Sequence, residues 1–350
     1  MIPVKKNRQQ SALPVFIILA VLFFIFFVVD LLFGSVIIPV KQVFLAFSSD
    51  YEMSESFRTI VLEIRLPRAL TAVLTGAALS LSGLQMQTVF RNPLAGPYVL
   101  GISAGASLGV ALFVLGFTSV FALGIFSATG AWSLALVAWG GSFLVMLLVL
   151  YVSTRVNDIM TLLILGILFT SAVAAIVNIM QYFSTESMLK AFVIWTMGSL
   201  GNVTKSQLAV LAPAIGAGIL LAFFKIKDLN AFLLGEEYAR SLGVSVKSSR
   251  VVIFLSASLL AGTITAFCGP VGFIGIAVPH LCRVLFKTTD HLVLVPGVIL
   301  TGSIVMLFSD MASQLPGIQT ILPINSVTAL IGIPVIIWMI VKNRKFVSVS

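Results

Sequence analysis

Apolar runs of about twenty residues, separated by short charged or Gly/Pro-rich breaks, repeat along the whole chain. A helix rises 1.5 Å per residue, so a run of that length crosses the ~30 Å hydrocarbon core of a bilayer. Placing boundaries at the breaks predicts spans at approximately 13–33, 62–84, 95–115, 131–152, 159–182, 207–224, 251–268, 272–286, 292–312 and 324–341. Two stretches fit no span. Residues 118–128 are apolar but too short to cross. Residues 188–200 (MLKAFVIWTMGSL) read as a short re-entrant or interfacial helix, tolerated only where its ends are buried in protein or line water. The first run, Leu13 to Phe33, is broken only by Asp30 and follows Lys5, Lys6 and Arg8. It exceeds the ~7–15 apolar residues of a signal peptide and lacks a small-x-small cleavage site, so it is predicted as an uncleaved first span.

Composition gives the same count independently. Apolar residues make up 59% of 350, about 206 residues, which fills roughly ten spans. Charged residues are 9%, against about 25% for a domain whose surface must be solvated by water. A water-soluble, disordered, collagen-like or disulfide-framework protein is excluded on these numbers. Cys268 and Cys282 stand in apolar sequence without CxxC or His-rich spacing, and read as buried free thiols rather than a metal site.

The net charge of +9 is informative through its placement. With the N-terminus in the cytoplasm, the inner segments hold Lys5, Lys6, Arg8, Arg91, Arg155, Lys225, Lys227, Arg240, Lys247, Arg250, Arg283, Lys287, Lys342, Arg344 and Lys345. The outer segments hold only Lys41, Arg58, Arg65, Arg68, Lys190 and Lys205. That bias satisfies the positive-inside rule with both termini cytoplasmic, which requires an even number of spans. The expected architecture is all-α: one polytopic membrane domain over 1–350, about ten transmembrane helices, a cytoplasmic loop at about 225–250 and an extracytoplasmic loop at about 34–61.

Several patterns carry candidate chemistry. Gly96-Pro97-Tyr98-Val99-Leu100-Gly101-Ile102 echoes loosely in Gly269-Pro270-Val271-Gly272-Phe273-Ile274-Gly275-Ile276, and the preceding spans run in opposite directions. This is a weak inverted repeat of the kind that places a transport path near the repeat interface. Gly101, Gly105 and Gly109 form GxxxGxxxG, a face for close helix packing in lipid. The same letters spell GxSxG around Ser103 and Ser107, the motif of a serine nucleophile, but the only bases are His280 and His291, near the inner ends of other spans. No GxxxxGK[ST] phosphate loop occurs, so ATP, if used, is hydrolysed by another chain.

In the loop KIKDLNAFLLGEEYARSLGVSVKSSR, Leu229, Phe232 and Leu233 recur at helical spacing, and Gly235 and Gly243 bracket a second short helix carrying Tyr238 and Leu242. Asp228, Glu236 and Glu237 argue against a lipid-binding basic face, which favours docking to a soluble partner. Asp310 lies within an apolar span, where an ionisable residue is either functional or held by a neighbouring helix. Arg65 and Arg68 open the second span on the outside, positioned to snorkel to headgroups or to meet an acidic external protein.

These residues together resemble the FecCD-type permeases, the membrane subunits of type II ATP-binding-cassette importers for iron chelates and cobalamin. The likeness is carried by Arg65-Leu66-Pro67-Arg68 through GAALSLSG, Arg91-Asn92-Pro93-Leu94-Ala95 to LGISAGA, WTMGSL at 195–200, LLGEEYARSLGV at 233–244, GPVGFIGIAVPHLCR at 269–283 and VTALIGIPVIIWMI at 327–340. The resemblance implies a homodimer or pseudo-dimer with the path at its interface, two cytoplasmic ATPases that bind ATP and magnesium, and an external substrate-binding protein. No cofactor, metal or catalytic residue is implied on this chain. It implies further that Gly235, Glu236, Glu237, Ala239, Leu242 and Gly243 form the core of the ATPase-coupling loop. By the same likeness, Asn92, Leu94, Ile159 and Met160 lie at the cytoplasmic gate, and Arg65 and Arg68 face the binding protein. Two positions depart from the pattern. Gln314 stands where an Arg is common, and Pro323-Ile324-Asn325-Ser326-Val327-Thr328 carries Asn in place of the usual Gly, a swap that a left-handed turn tolerates.

The expected function is import of a metal chelate across the cell membrane by alternating access, with a ferric siderophore first and haem or cobalamin next. Two rivals follow from the residues: an intramembrane serine hydrolase using Ser103 or Ser107, and an ion-coupled carrier centred on Asp310.

Overall fold

The computed structural model describes residues 8–34, 38–46, 55–116, 131–156, 158–314 and 321–342; residues 118–128 and parts of the loop 34–61 lie outside the described residues. Among the described residues every regular element is helical. The helices are α1 (Arg8–Leu32), α2 (Val40–Leu45), α3 (Glu55–Thr59), α4 (Leu66–Val89), α5 (Ile102–Ala111), α6 (Ala131–Arg155), α7 (Ile159–Tyr182) and α8 (Glu186–Thr196). They continue with α9 (Lys205–Phe224), α10 (Ile226–Phe232), α11 (Glu236–Ser241), α12 (Val246–Cys268), α13 (Ile274–Phe286), α14 (His291–Ser313) and α15 (Ile324–Lys342). A wider-wound π segment, Ile60–Arg65, joins α3 to α4 into one helical stretch, Glu55–Val89.

Seven described stretches are long and apolar enough to cross a membrane. Three shorter apolar helices, Ile102–Gly116, Ile274–Phe286 and Ile324–Met339, occupy the third, eighth and tenth predicted spans. The third begins later than the apolar run suggested, at Ile102 rather than 95. Pro93 and Pro97 lack amide donors and push the residues before them out of the helical region. Gly101 then turns into the helix with φ 79°, a left-handed conformation that glycine adopts freely. The 188–200 stretch forms the short helix α8, Glu186–Thr196.

The centre of the bundle is α4, buried along almost its full length against α12, α13 and α14. Lipid tails are as apolar as leucine, so helix association here rests on close backbone approach. Gly76 of α4 faces Gly302 of α14, and Gly83 faces Gly275 of α13; a Cβ on Gly76 or Gly83 would fall on the opposing backbone carbonyl. The predicted small-residue face on α5 packs in the same way, Gly105 against Gly141 and Gly109 against the Val137 carbonyl of α6. Polar side chains inside the core find partners across helices: Ser82 Oγ donates to the Ala257 carbonyl at 3.0 Å and Gln85 Nε2 to Ser256 Oγ at 2.9 Å.

The two echoing segments break the chain before the short helices α5 and α13, and they touch each other. The Val271 amide donates to Tyr98 Oη at 3.3 Å, and Pro97 lies beside Gly275.

Candidate functional site

The two short helices predicted in the 225–250 loop form as α10 and α11. Gly235 (φ 103°) and Gly243 (φ 83°) bracket the second, both in a backbone region that favours glycine. Their apolar residues divide between two surfaces. Leu229, Phe232 and Ala239 are buried, whereas Leu234, Tyr238 and Leu242 are more than half exposed. The buried set anchors the loop to the bundle, and the exposed set faces outward. Leu229 and Phe232, read from sequence alongside Tyr238 and Leu242, therefore belong to the anchor.

Ionic and amide contacts fix the loop further. Glu236 Oε1 accepts from Arg250 Nη2 at 2.5 Å, and the Arg250 guanidinium, 2% exposed as a residue, also donates to the Val156 carbonyl at 3.3 Å. Lys225 Nζ and Ser249 Oγ both donate to Asp228 Oδ2, at 2.8 and 2.6 Å. Among the described residues Glu237 pairs with Arg240, one turn along, at the surface.

One apolar cluster unites the loop with the predicted gate. Val89, Phe90 and Ala95 from the end of α4 and its turn pack with Leu229, Phe232, Ala239 and Val246, and Ile159 lies against them. Asn92 holds the turn, its Oδ1 accepting from the Leu94 amide at 2.9 Å, and Leu94 and Met160 are about half exposed. At the head of α7, Asp158 caps the helix, accepting from the Met160 amide at 3.2 Å, the Thr161 amide at 2.9 Å and the Thr161 hydroxyl at 2.7 Å. These bonds, the Thr161 hydroxyl foremost, hold the Asp158 carboxyl below its ordinary range.

A second link runs through residues that sequence reasoning missed. Asn230 of α10 donates from Nδ2 to Asp290 Oδ1 at 2.8 Å, which orients its amide oxygen toward His291. That oxygen accepts from the His291 amide at 2.8 Å and lies 2.7 Å from His291 Nδ1. An acceptor at Nδ1 places the imidazole proton there, and Nε2 lies 2.8 Å from Thr88 Oγ1 in the last turn of α4. The chain Asn230–His291–Thr88 thus ties the first short helix to the last turn of α4, just before the turn that holds Asn92. A lone Asn beside apolar neighbours gives no sequence signal of this.

At the opposite end, Arg65 and Arg68 point inward. Arg68 Nε and Nη2 grip Asp310 at 2.8–3.0 Å in a bidentate pair, and Nη2 also donates to Ser313 Oγ at 3.1 Å. Gln314 Nε2 donates to Asp310 Oδ2 at 2.8 Å, and the buried Asp30 of α1 adjoins the same carboxylate. Arg65 Nη1 donates to the Leu31 and Leu32 carbonyls at 2.8 Å, satisfying the end of α1. Both arginines are under a tenth exposed. Within the chain, then, both side chains serve contacts with α1 and α14, which the first turn of α4 faces.

The same geometry decides the rivals. His280 Nε2 donates to the Pro93 carbonyl at 2.8 Å and His291 is held by Asn230 and Thr88, so neither serves Ser103 or Ser107 as a base. Asp310 is neutralised by Arg68 and does not stand open for an ion.

A helical bundle of membrane-length apolar helices, with a two-helix loop clamped to one end, an exposed apolar face on that loop and a hydrogen-bonded turn packed beneath it, fits a transport permease. The match to the FecCD transport family extends over residues 21–342, and the chain belongs to that family. It is 37% identical over 285 residues to the vitamin B12 import system permease proteins of Salmonella newport and Salmonella typhi, covering 81% of this chain and 84% of those. A solved structure described as an inward-facing conformation of a metal-chelate type ABC transporter superposes with a TM-score of 0.80 at 29% identity, covering 94% of this chain and 99% of that one. The chain is a multi-pass membrane permease, and ATP hydrolysis belongs to a separate subunit.

Proposed function

We propose that this permease imports a bulky metal chelate as one of two copies around a central path, with ATPases docked on α10–α11 and a binding protein at the opposite end. The observation that carries the reading is the apolar cluster shared by the loop and the gate turn. It makes displacement of Ala239 and Phe232 inseparable from displacement of Phe90 and Ala95. ATPase closure acts on Leu234, Tyr238 and Leu242. The Glu236–Arg250 pair and the Asn230–His291–Thr88 chain carry the movement to Val156, to the head of α7 and to the end of α4. Asn92, Leu94, Ile159 and Met160 then change the opening.

The wall of the path is supplied by α7. Only a narrow stripe of it is buried (Leu162, Gly166, Val173, Val177), while Ile164, Ile167, Leu168 and Ile179 face outward. Thr170 and Ser171 bond back into the helix, to the Gly166 and Ile167 carbonyls. Such a surface presents few free polar groups, which suits a cargo that must leave as readily as it enters.

The binding protein selects the chelate, and the test uses ferric siderophores, haem and cobalamin in parallel. The permease is reconstituted in vesicles with its ATPase and binding protein, and uptake is followed with and without ATP. ATP-dependent accumulation of one of these chelates is expected, persisting after ion gradients are collapsed. Uptake driven by an ion gradient, or no chelate taken up by an assembled complex, would overturn the reading.

A further inference from the structure

Where α4, α13 and the turn between α10 and α11 meet, a cavity of about 680 Å³ opens at the basic end of the bundle. Its charged lining is of one sign: Arg91, Arg283 and Lys287, with His280 beside them and no Asp or Glu. Among the described residues none of these three cations has an ion-pair partner. Arg283 uses Nη1 to donate to Gln87 Oε1 at 2.6 Å, which fixes the guanidinium at the wall. Leu233, Val284 and Met339 give the wall an apolar side, and Gln87, Thr88, Thr288 and Thr289 add neutral polar groups.

The backbone places two of these cations at the cavity's edge. Arg91 and Lys287 both sit at φ 49°, in the left-handed region that disfavours residues with a Cβ. Gly or Asn would relieve that conformation, yet at both places the chain puts a long cation at the edge of the same cavity. Each closes a helix, α4 or α13, where one left-handed residue is a common C-terminal cap, so both cations stand at helix ends beside the cavity.

We propose that this cavity binds the phosphate headgroup of an anionic phospholipid from the cytoplasmic leaflet, its acyl chains lying along Val284 and Met339. Three cations with no carboxylate to pair them call for an anion, and a basic pocket between transmembrane helices at the cytoplasmic surface matches a phosphodiester with an apolar tail. Leu233 belongs to the α10–α11 turn and the Arg91 guanidinium lies beside Gly235, so the lipid sits against the coupling loop.

The test measures lipid retained by the full-length permease, assembled with its ATPase in neutral detergent, using native mass spectrometry. The probes are dioctanoyl phosphatidylglycerol, dioctanoyl phosphatidylcholine and inorganic phosphate. Phosphatidylglycerol is expected to bind at least ~tenfold more tightly than phosphatidylcholine, with a loss of roughly fivefold for each cation removed. The variants are Arg91→Asn, Lys287→Asn and the pair together, because Asn keeps the left-handed backbone. Both positions are exposed, so folding is retained, and Arg91→Lys with Lys287→Arg preserves the preference. Equal retention of the two lipids by the natural protein overturns the proposal, as does an unchanged preference in the double Asn variant. Inorganic phosphate binding as tightly as phosphatidylglycerol assigns the cavity to a free anion and overturns it too. Loss of ATPase association with lipid retention unchanged assigns it to an acidic protein side chain, with the same consequence.

Discussion

Helices α4 and α7 are of equal length, 24 residues, and both are apolar, yet they sit in opposite environments. The spanning window of the stretch containing α4 is 83% buried, and that of α7 is 17% buried. The difference lies in side-chain size. Helix α4 carries Ala, Gly, Ser and Thr on nearly every face, so three neighbours approach its backbone at once. Helix α7 carries Ile and Leu around most of its circumference and meets the bundle along one stripe. Both sequences are apolar enough to span a bilayer, and the small residues mark the fixed frame. The bulky ones mark surface left over for lipid, a second copy or cargo.

Disruption of the frame at its buried charges gives the largest expected effect. Asp310→Asn or Arg68→Ala leaves one partner of a buried bidentate pair uncompensated and lowers stability by about 3–5 kcal/mol. Replacing both together, Arg68→Met with Asp310→Leu, recovers most of that loss. Thermal unfolding in detergent checks both outcomes, and a double variant as unstable as the singles contradicts the pairing. Next comes a matched pair of glycines. Gly83→Ala puts a methyl group on the Gly275 carbonyl and destabilises by about 1–3 kcal/mol. A methyl group on Gly140 of α6 would meet nothing within 4 Å, so Gly140→Ala is neutral or slightly stabilising. Equal effects at the two sites break the distinction between frame and free surface.

Smaller in stability but decisive for coupling is Asn230→Ala. It removes the bridge from α10 to His291 and is expected to leave ATP hydrolysis within about twofold while uptake falls roughly tenfold, a loss worth ~1.4 kcal/mol. Unaltered uptake per ATP hydrolysed removes the bridge from the account. The smallest effect belongs to Asp158→Ala. The folded Asp158 carboxyl titrates below its usual 3.8, so its contribution is present above that pH and is lost as pH falls through the lower folded value. The variant is therefore less stable than the natural protein at neutral pH, and the gap closes as the solution becomes more acidic than about pH 4. A gap that widens in acid reverses the assignment.

Most of the frame could be read from sequence because an apolar run of twenty residues has one stable state in a bilayer, and Gly/Pro punctuation marks its ends. Gly235 and Gly243 announced the helix between them for the same local reason. The turn before α5 was misplaced because Tyr98-Val99-Leu100 is apolar, and hydropathy does not register that Pro93 and Pro97 forbid the helix. Pairings across the chain were not legible. Arg68 and Asp310 are 242 residues apart, and each alone fits a surface or transport role as well as a latch. Asn230, His291 and Thr88 come from three helices, and nothing local marks any one of them. Family likeness singled out Asn92, Leu94, Ile159 and Met160 as a gate; only packing showed that Phe90 and Phe232 share a cluster.

Transmission from loop to gate is the central claim, and one measurement addresses it directly. A thiol is placed by Met160→Cys in the assembled importer; the natural Cys268 and Cys282 are buried and stay silent to a membrane-impermeant reagent. Labelling is then followed with and without ATP, in the presence and absence of Asn230→Ala. Reactivity at position 160 is expected to change several-fold on ATP binding and to lose most of that change when Asn230 is replaced. Reactivity that ignores ATP, or that responds equally in both backgrounds, would contradict the account.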